Sequence, residues 1–256
     1  FLVFTIKPYF CTMNSENNLS PHKISLQEVF NRSFFYWKST LFFQAIVTLL
    51  YFGIITIAGV QLFYYYFGDQ LATFTPELVA DTNLFLSKIN AMVNTENGST
   101  FKIIIALIKA SMFPLNIGLI KIYSLIDENK KPQFSDIFDG YNGSKFFKFF
   151  GYAIFWNMLF ELGTQLFLFP GIVWVFMTLF VSPLLYFTPM RMFEAIRLSA
   201  KVVFANWAII LPCAIVAFLF SYSGFVVFFI GFLFTFPFWN AMIYTLFKKF
   251  FNIKFV

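Results

Sequence analysis

From Val202 to Phe247 this chain carries no charged side chain. One helix of that length would be ~70 Å long, about twice the ~30 Å hydrocarbon core of a bilayer. The run must therefore fold back as a hairpin, and Ser221-Tyr222-Ser223-Gly224 has the turn chemistry for it. Two other runs impose the same constraint. Ser39 to Gly68 is uncharged and holds one span. Phe149 to Met190 carries only Glu161, is too long for one span and suits two, joined at Pro170-Gly171. A further span runs from about Ile103 to Tyr123, with Lys109 inside it and Pro114 near its middle. Six spans result.

The composition names the solvent. Hydrophobic residues make up 59% and charged residues 12%, against roughly 45–50% and 25% in soluble domains. One core cannot hide that much apolar surface from water. The net charge of +6 does not indicate nucleic acid, because the basic residues sit in short loops between apolar spans. That pattern orients a membrane protein and attracts anionic lipid. Lys23, Arg32 and Lys38, the Lys121 to Lys148 group, Arg191, Arg197 and Lys201, and the C-terminal lysines all fall on one side of the six spans, while residues 69–101 form an acidic, hydrophilic loop on the other. The expectation is a multi-pass protein of the cytoplasmic (inner) membrane with both termini cytoplasmic.

The connecting segments are themselves amphipathic. Within Pro189 to Trp207, helical spacing sets Arg191, Glu194, Arg197 or Leu198, and Lys201 on one face, with Phe193, Ile196, Ala200, Val203 and Trp207 on the other. Such a helix lies in a membrane interface. Ile24 to Lys38 has the same character, with Ser25 as its cap and Glu28 at capping-box spacing. Pro132 to Tyr141 is a third short surface helix, stopped by Gly140. The predicted fold is all-α: a polytopic membrane bundle of six transmembrane helices with three cytoplasmic amphipathic surface helices, a helix plus a hairpin three times over. Residues 13–256 form this single domain. Met13 has the context of a natural start, so residues 1–12 are expected to be an extended reading frame or a disordered tail.

Gly118 at the end of the second span, Phe138-x-Gly140, Pro170-Gly171-Ile172, Glu194-Ala195-x-x-x-Ser199 and Asn206-Trp207 occur in that order. In this the chain resembles, over roughly residues 24–250, the bacterial six-helix membrane proteins related to the membrane domain of glycerophosphoryl diester phosphodiesterases. It departs from them in having Phe187-Thr188-Pro189 where relatives carry acidic residues before the surface helix. No stretch is long or polar enough to be the namesake's catalytic barrel. The resemblance implies a membrane architecture and little chemistry.

Two sets of side chains are candidates for function. Lys109 and Glu161 are the charges well inside spans, where an isolated charge costs a few kcal/mol or more. They could pair within a polar path that includes Asn116, Asn157 and Gln165, form an ion pair of purely structural value, or leave Lys109 to snorkel outward. Arg191, Arg197 and Lys201 could grip anionic lipid headgroups or merely hold their loop on the cytoplasmic side. Pro114, Pro183, Pro212 and Pro237 interrupt spans, as binding-site helices of transporters do and as many ordinary membrane helices also do.

Cys11 and Cys213 are too far apart to imply a disulfide framework or a metal site, and His22 is the only histidine. No phosphate-cradling loop, metal-ligand cluster or nucleophile with a base partner is present. No catalytic, cofactor or metal site is therefore expected. The leading reading is a non-enzymatic membrane protein that interacts with lipid as a scaffold or as an accessory subunit of a membrane complex. The alternative is a small transporter or channel with a polar path near Lys109 and Glu161.

Overall fold

Helix α1 (Leu26–Ser39) passes through Thr40 into α2 (Leu41–Leu71), the longest helix of the chain. After α3 (Thr82–Val93) comes α4 (Glu96–Met112), which continues across Phe113 into α5 (Pro114–Asp127). A 3-10 helix, Phe134–Tyr141, leads to α6 (Ser144–Leu166), α7 (Leu168–Met177) and α8 (Val181–Phe187). Helix α9 (Met192–Ala205) precedes α10 (Trp207–Ser223), a 3-10 turn (Gly224–Val226), α11 (Ile230–Thr235) and α12 (Phe238–Phe250). The computed structural model describes residues 25–71, 73–75, 78, 80–226 and 230–251, among which there is no strand. The expectation for residues 1–12 lies outside the described residues.

Four stretches are long and apolar enough to cross a membrane: Leu41–Leu71, Glu96–Asp127, Leu168–Phe187 and Trp207–Val226. Their outer faces expose large apolar side chains such as Phe42, Ile57, Phe169 and Leu219, a surface suited to lipid and not to water. The two remaining expected spans fall outside this set for different reasons. Helix α6 has 23 residues, ~34 Å at the helical rise, but Lys145, Lys148, Asn157, Glu161 and Gln165 give it a mixed composition. Helices α11 and α12 are separated at Phe236-Pro237, and α12 packs among α1, α5 and α10 with Phe238, Ala241, Met242 and Tyr244 to Phe247 buried. Protein neighbours, not lipid, surround its polar residues, which is how membrane bundles carry them.

Several local expectations need correction. The hairpin between α6 and α7 turns at Phe167, whose extended backbone ends α6. Pro170-Gly171 lies three residues further on, in the first turn of α7, where a missing N–H has no partner to lose. Ser25 sits at the N-cap of α1 but its side chain makes no capping bond, and Glu28 instead pairs with Lys249 across to α12. Part of the hydrophilic loop is helical, because Asp81 caps α3 by accepting from the backbone N–H groups of Asn83 (2.9 Å) and Leu84 (3.1 Å).

Helix α9 has three faces where two were expected. Ala195, Ser199, Ala200 and Val203 are buried against the bundle, and the Ser199 hydroxyl accepts from Phe180 N–H at 3.1 Å. Phe193, Phe204 and Trp207 are 63%, 57% and 62% exposed. The small residues dock the helix, Phe204 and Trp207 are largely exposed at the junction with α10, and the Phe193 ring meets Phe155 edge-on at 5.4 Å.

Gly140 does not stop the third connecting helix; it lies inside it. A Cβ built on Gly140 would lie 2.4 Å from Pro114 O, and one on Gly118 would lie 2.0 Å from Ile137 O. The 3-10 helix is thus laid backbone-to-backbone on α5, with Ile137 buried between them. Backbone atoms cannot step aside, so Gly118→Ala or Gly140→Ala should destabilise the protein by about 2–3 kcal/mol, at the upper end of overpacking costs. Nothing lies within 4 Å of a Cβ on Gly53 or Gly151, so alanine there should be tolerated. Thermal unfolding of the four variants in detergent checks this; a Gly118→Ala protein that melts with the Gly53→Ala control would refute the close approach.

Candidate functional site

Two buried carboxylates gather the charges at one end of the bundle. Asp127, the last residue of α5, has a side chain only 5% exposed. Its Oδ1 accepts from Arg32 Nη2 at 2.7 Å and from Tyr36 OH at 2.5 Å. Its Oδ2 accepts from Tyr244 OH at 2.8 Å and Lys248 Nζ at 2.7 Å. Asp139, in the 3-10 helix, is 8% exposed. It accepts from Lys121 Nζ at 3.0 Å, Lys145 Nζ at 2.6 Å and Tyr186 OH at 2.9 Å. Lys148 Nζ donates to Leu185 O at 2.5 Å near the end of α8, where a cation complements the helix dipole. Residues that counted as topological charges in the sequence are therefore structural fasteners, and Asp127 and Asp139 were missed as their anchors.

Deeper in the bundle lies a cavity of about 270 Å³. Three interruptions of the helices meet on it. Phe113 lies at the α4–α5 kink, where Pro114 has no N–H to continue the ladder; Thr178 and Leu179 lie between α7 and α8; Phe236 precedes Pro237 between α11 and α12. Pro183 also lines it and falls in the first turn of α8, while Pro212 stays inside α10 without ending it. Asn116, Asn157 and Asn240 supply polar groups, with Asn240 Nδ2 donating to Asn116 Oδ1 at 3.1 Å. Trp156 Nε1 donates to Thr178 Oγ1 at 2.7 Å on another wall. Lys109 is the only charged residue in the lining.

The structure brings Lys109, Asn116 and Asn157 to this one cavity and leaves Glu161 and Gln165 outside it, exposed on α6. Among the described residues no ion pair joins Lys109 to Glu161. The two charges sit on different helices, α4 and α6, and both residues are exposed. Asn240 went unnoticed because an asparagine in an apolar run gives no sign of which way it faces. Arg191 at the N-cap of α9 and Arg197 and Lys201 on it are exposed and join no ion pair among the described residues. Among the described residues no three metal-binding side chains come together. No family model, curated protein or solved structure matches the chain.

The Asp139 anchor has a measurable signature. Burial alone would raise its carboxyl, but hydrogen bonds from Lys145, Lys121 and Tyr186 outweigh that and hold it below the ordinary carboxylate range. A depressed folded value means its stabilisation is complete above the unfolded value of about 3.9 and is lost as pH falls through the folded one. Asp139→Asn should cost about 2–3 kcal/mol at pH 7, tempered by the partial exposure of both lysines. The gap between wild type and variant, followed by denaturant unfolding, should shrink on acidification from pH 6 to pH 3; a gap that stays constant would rule out the charge-based anchor.

Proposed function

We propose that this is a six-span protein of the cytoplasmic (inner) membrane, with both termini cytoplasmic, that takes a small ligand into the cavity and carries it across the bilayer. The orientation is supported by Arg32, Lys121, Lys145, Lys148 and Lys248 gathering at one end of the bundle, as the positive-inside rule requires. The two spans beyond the four apolar ones are α6 and the α11–α12 pair, with α1, the 3-10 helix Phe134–Tyr141 and α9 as the cytoplasmic surface elements. This helix-plus-hairpin order, three times over, supports kinship with the six-helix group named above.

The observation that carries the transport reading is the meeting of three interrupted helices on one cavity with a single cation in its lining. Interrupted helices at membrane depth are tolerated where they line a cavity, and such sites bind substrate in transporters. On this ground a small transporter is favoured over a scaffold or accessory subunit, and the polar path keeps Lys109 but not Glu161. The role proposed is carriage, without bond-making chemistry. Access is the test. Ser182 lines the cavity, so Ser182→Cys, in a background with Cys11→Ala and Cys213→Ala, should react with a small water-soluble thiol reagent added to proteoliposomes from one face. Failure to label from either face would make the cavity a sealed void and end the transport reading.

A lipid-contact role for α9 stands on a separate observation: Phe193 and Phe204 on α9 and Trp207 at the start of α10 are largely exposed near Arg191, Arg197 and Lys201, which join no ion pair among the described residues. Each cation would contribute about 1 kcal/mol at an anionic leaflet. Neutralising all three to Gln should abolish enrichment of anionic over zwitterionic lipid among lipids retained from mixed nanodiscs, as measured by native mass spectrometry. Unchanged enrichment would leave them a topological role only.

A further inference from the structure

A second recess runs along the outside of the bundle between α2 and α4. It is an open groove of about 610 Å³, lined by Ile55, Gly59, Phe63 and Leu71 on one side and Phe101 and Ile105 on the other. Gly59 provides its depth: a Cβ there would come only within 3.9 Å of Ile105 Cδ1, and the neighbouring positions carry bulk. From Ile55 to Leu71 the groove follows ~24 Å of helix, more than the ~15 Å of hydrocarbon in one leaflet. Its lining is apolar except for Tyr64 and for one residue at its end, Lys109.

Lys109 is also the one residue shared with the internal cavity. Neither lining contains an acidic side chain, and among the described residues Lys109 takes part in no ion pair. It lies thirteen residues from Glu96 and eighteen from Asp127 in the 32-residue stretch those two bound, so it stands near mid-membrane if that stretch crosses. An ammonium at that depth is costly without an anion. The described residues supply none, polar groups are offered on one side of it, and a long apolar trough on the other.

We infer that the ligand is a single-chain anionic amphiphile. Its carboxylate or phosphate head pairs with Lys109 and reaches Asn116, Asn157 and Asn240 in the cavity, and its acyl chain lies in the α2–α4 groove. This rests on the cavity being an accessible ligand site, as proposed above, and adds the chemical class of what enters it. The shared chemistry, an anionic head, could equally come from a water-soluble anion, and the presence of the chain is what distinguishes the two.

Trp156 and Trp239 line the cavity and report on the head end. A long-chain fatty acid brominated next to its carboxyl, added to the purified protein in detergent, should quench their fluorescence saturably. Lys109→Met should weaken the apparent affinity tenfold or more, and Lys109→Arg should restore most of it. Gly59→Leu, which fills the groove, should weaken the long-chain acid while thermal unfolding stays near wild type. Acetate and inorganic phosphate should not displace the long-chain acid at matched concentration.

Quenching that does not saturate, or that ignores both Lys109→Met and Gly59→Leu, is simple partitioning and overturns the inference. Displacement by acetate or phosphate at the same concentration, with Gly59→Leu silent, makes the site one for a soluble anion and overturns it too. If Ser182→Cys labels normally while the fatty acid fails, the cavity reading stands and only the amphiphile falls. If Ser182→Cys is sealed from both faces, the cavity reading falls first.

Discussion

Asp127 takes four hydrogen bonds, from Arg32 and Tyr36 on α1 and from Tyr244 and Lys248 on α12. A buried carboxylate left without partners would cost several kcal/mol, so α5, α1 and α12 can reach their final places only together. Tyr36, Tyr123 and Tyr244 then stack against one another just inside that charge, with centroids 5.2–5.7 Å apart. Asp139 does the same for α5, α6 and α8 through Lys121, Lys145 and Tyr186. Between helices in lipid the hydrophobic effect supplies no net attraction, and association depends on packing and polar contacts. Those contacts are densest at the charged end of the bundle, with neutral ones such as Asn240 to Asn116 and Trp156 to Thr178 joining the helices around the cavity.

That division explains what could be seen in advance. Charge-free runs and the side on which lysines fall depend on the solvent alone, so the all-helical membrane-type bundle was legible from residues 39–68 or 202–247 without any contact being known. What failed depended on which neighbour a residue meets. Gly140 looks like a helix stop in a one-dimensional reading and is in fact where α5 must come within backbone distance. Phe193 and Val203 share an apolar half of a helical wheel, yet Val203 is buried and Phe193 is 63% exposed, because only part of that half docks on the rest of the bundle. Lys109, Asn116 and Asn157 were legible as a group because polar residues inside apolar runs are few. Their separation from Glu161 was not, since helix rotation is set by packing that one sequence does not encode locally.

The bends themselves bear on function. Each interruption, at Phe113-Pro114, Thr178–Phe180 and Phe236-Pro237, forfeits ladder hydrogen bonds that a straight helix would keep. In an apolar setting such groups need partners or water. Some are found: Phe113 N–H still reaches Ala110 O, and Asn116 Nδ2 donates to Phe113 O at 3.3 Å. At Thr178–Phe180, which holds no proline, the N–H groups are all taken up, that of Phe180 by Ser199 Oγ; at Phe113-Pro114 and Phe236-Pro237 straight helices with leucine in place of proline would gain contacts and narrow the cavity.

The bundle is fastened by Asp127 and Asp139 and interrupted at three points around the cavity. Asp127 lies at the far end of α5 from Phe113, whereas Asp139 neighbours Gly140, which rests on Pro114, and Tyr141 OH donates to Ser111 O at 2.9 Å, so the 3-10 helix braces the α4–α5 kink directly. If the proposed anionic ligand binds at Lys109, it would favour whichever shape of the cavity it fits better, by its difference in affinity for the alternatives.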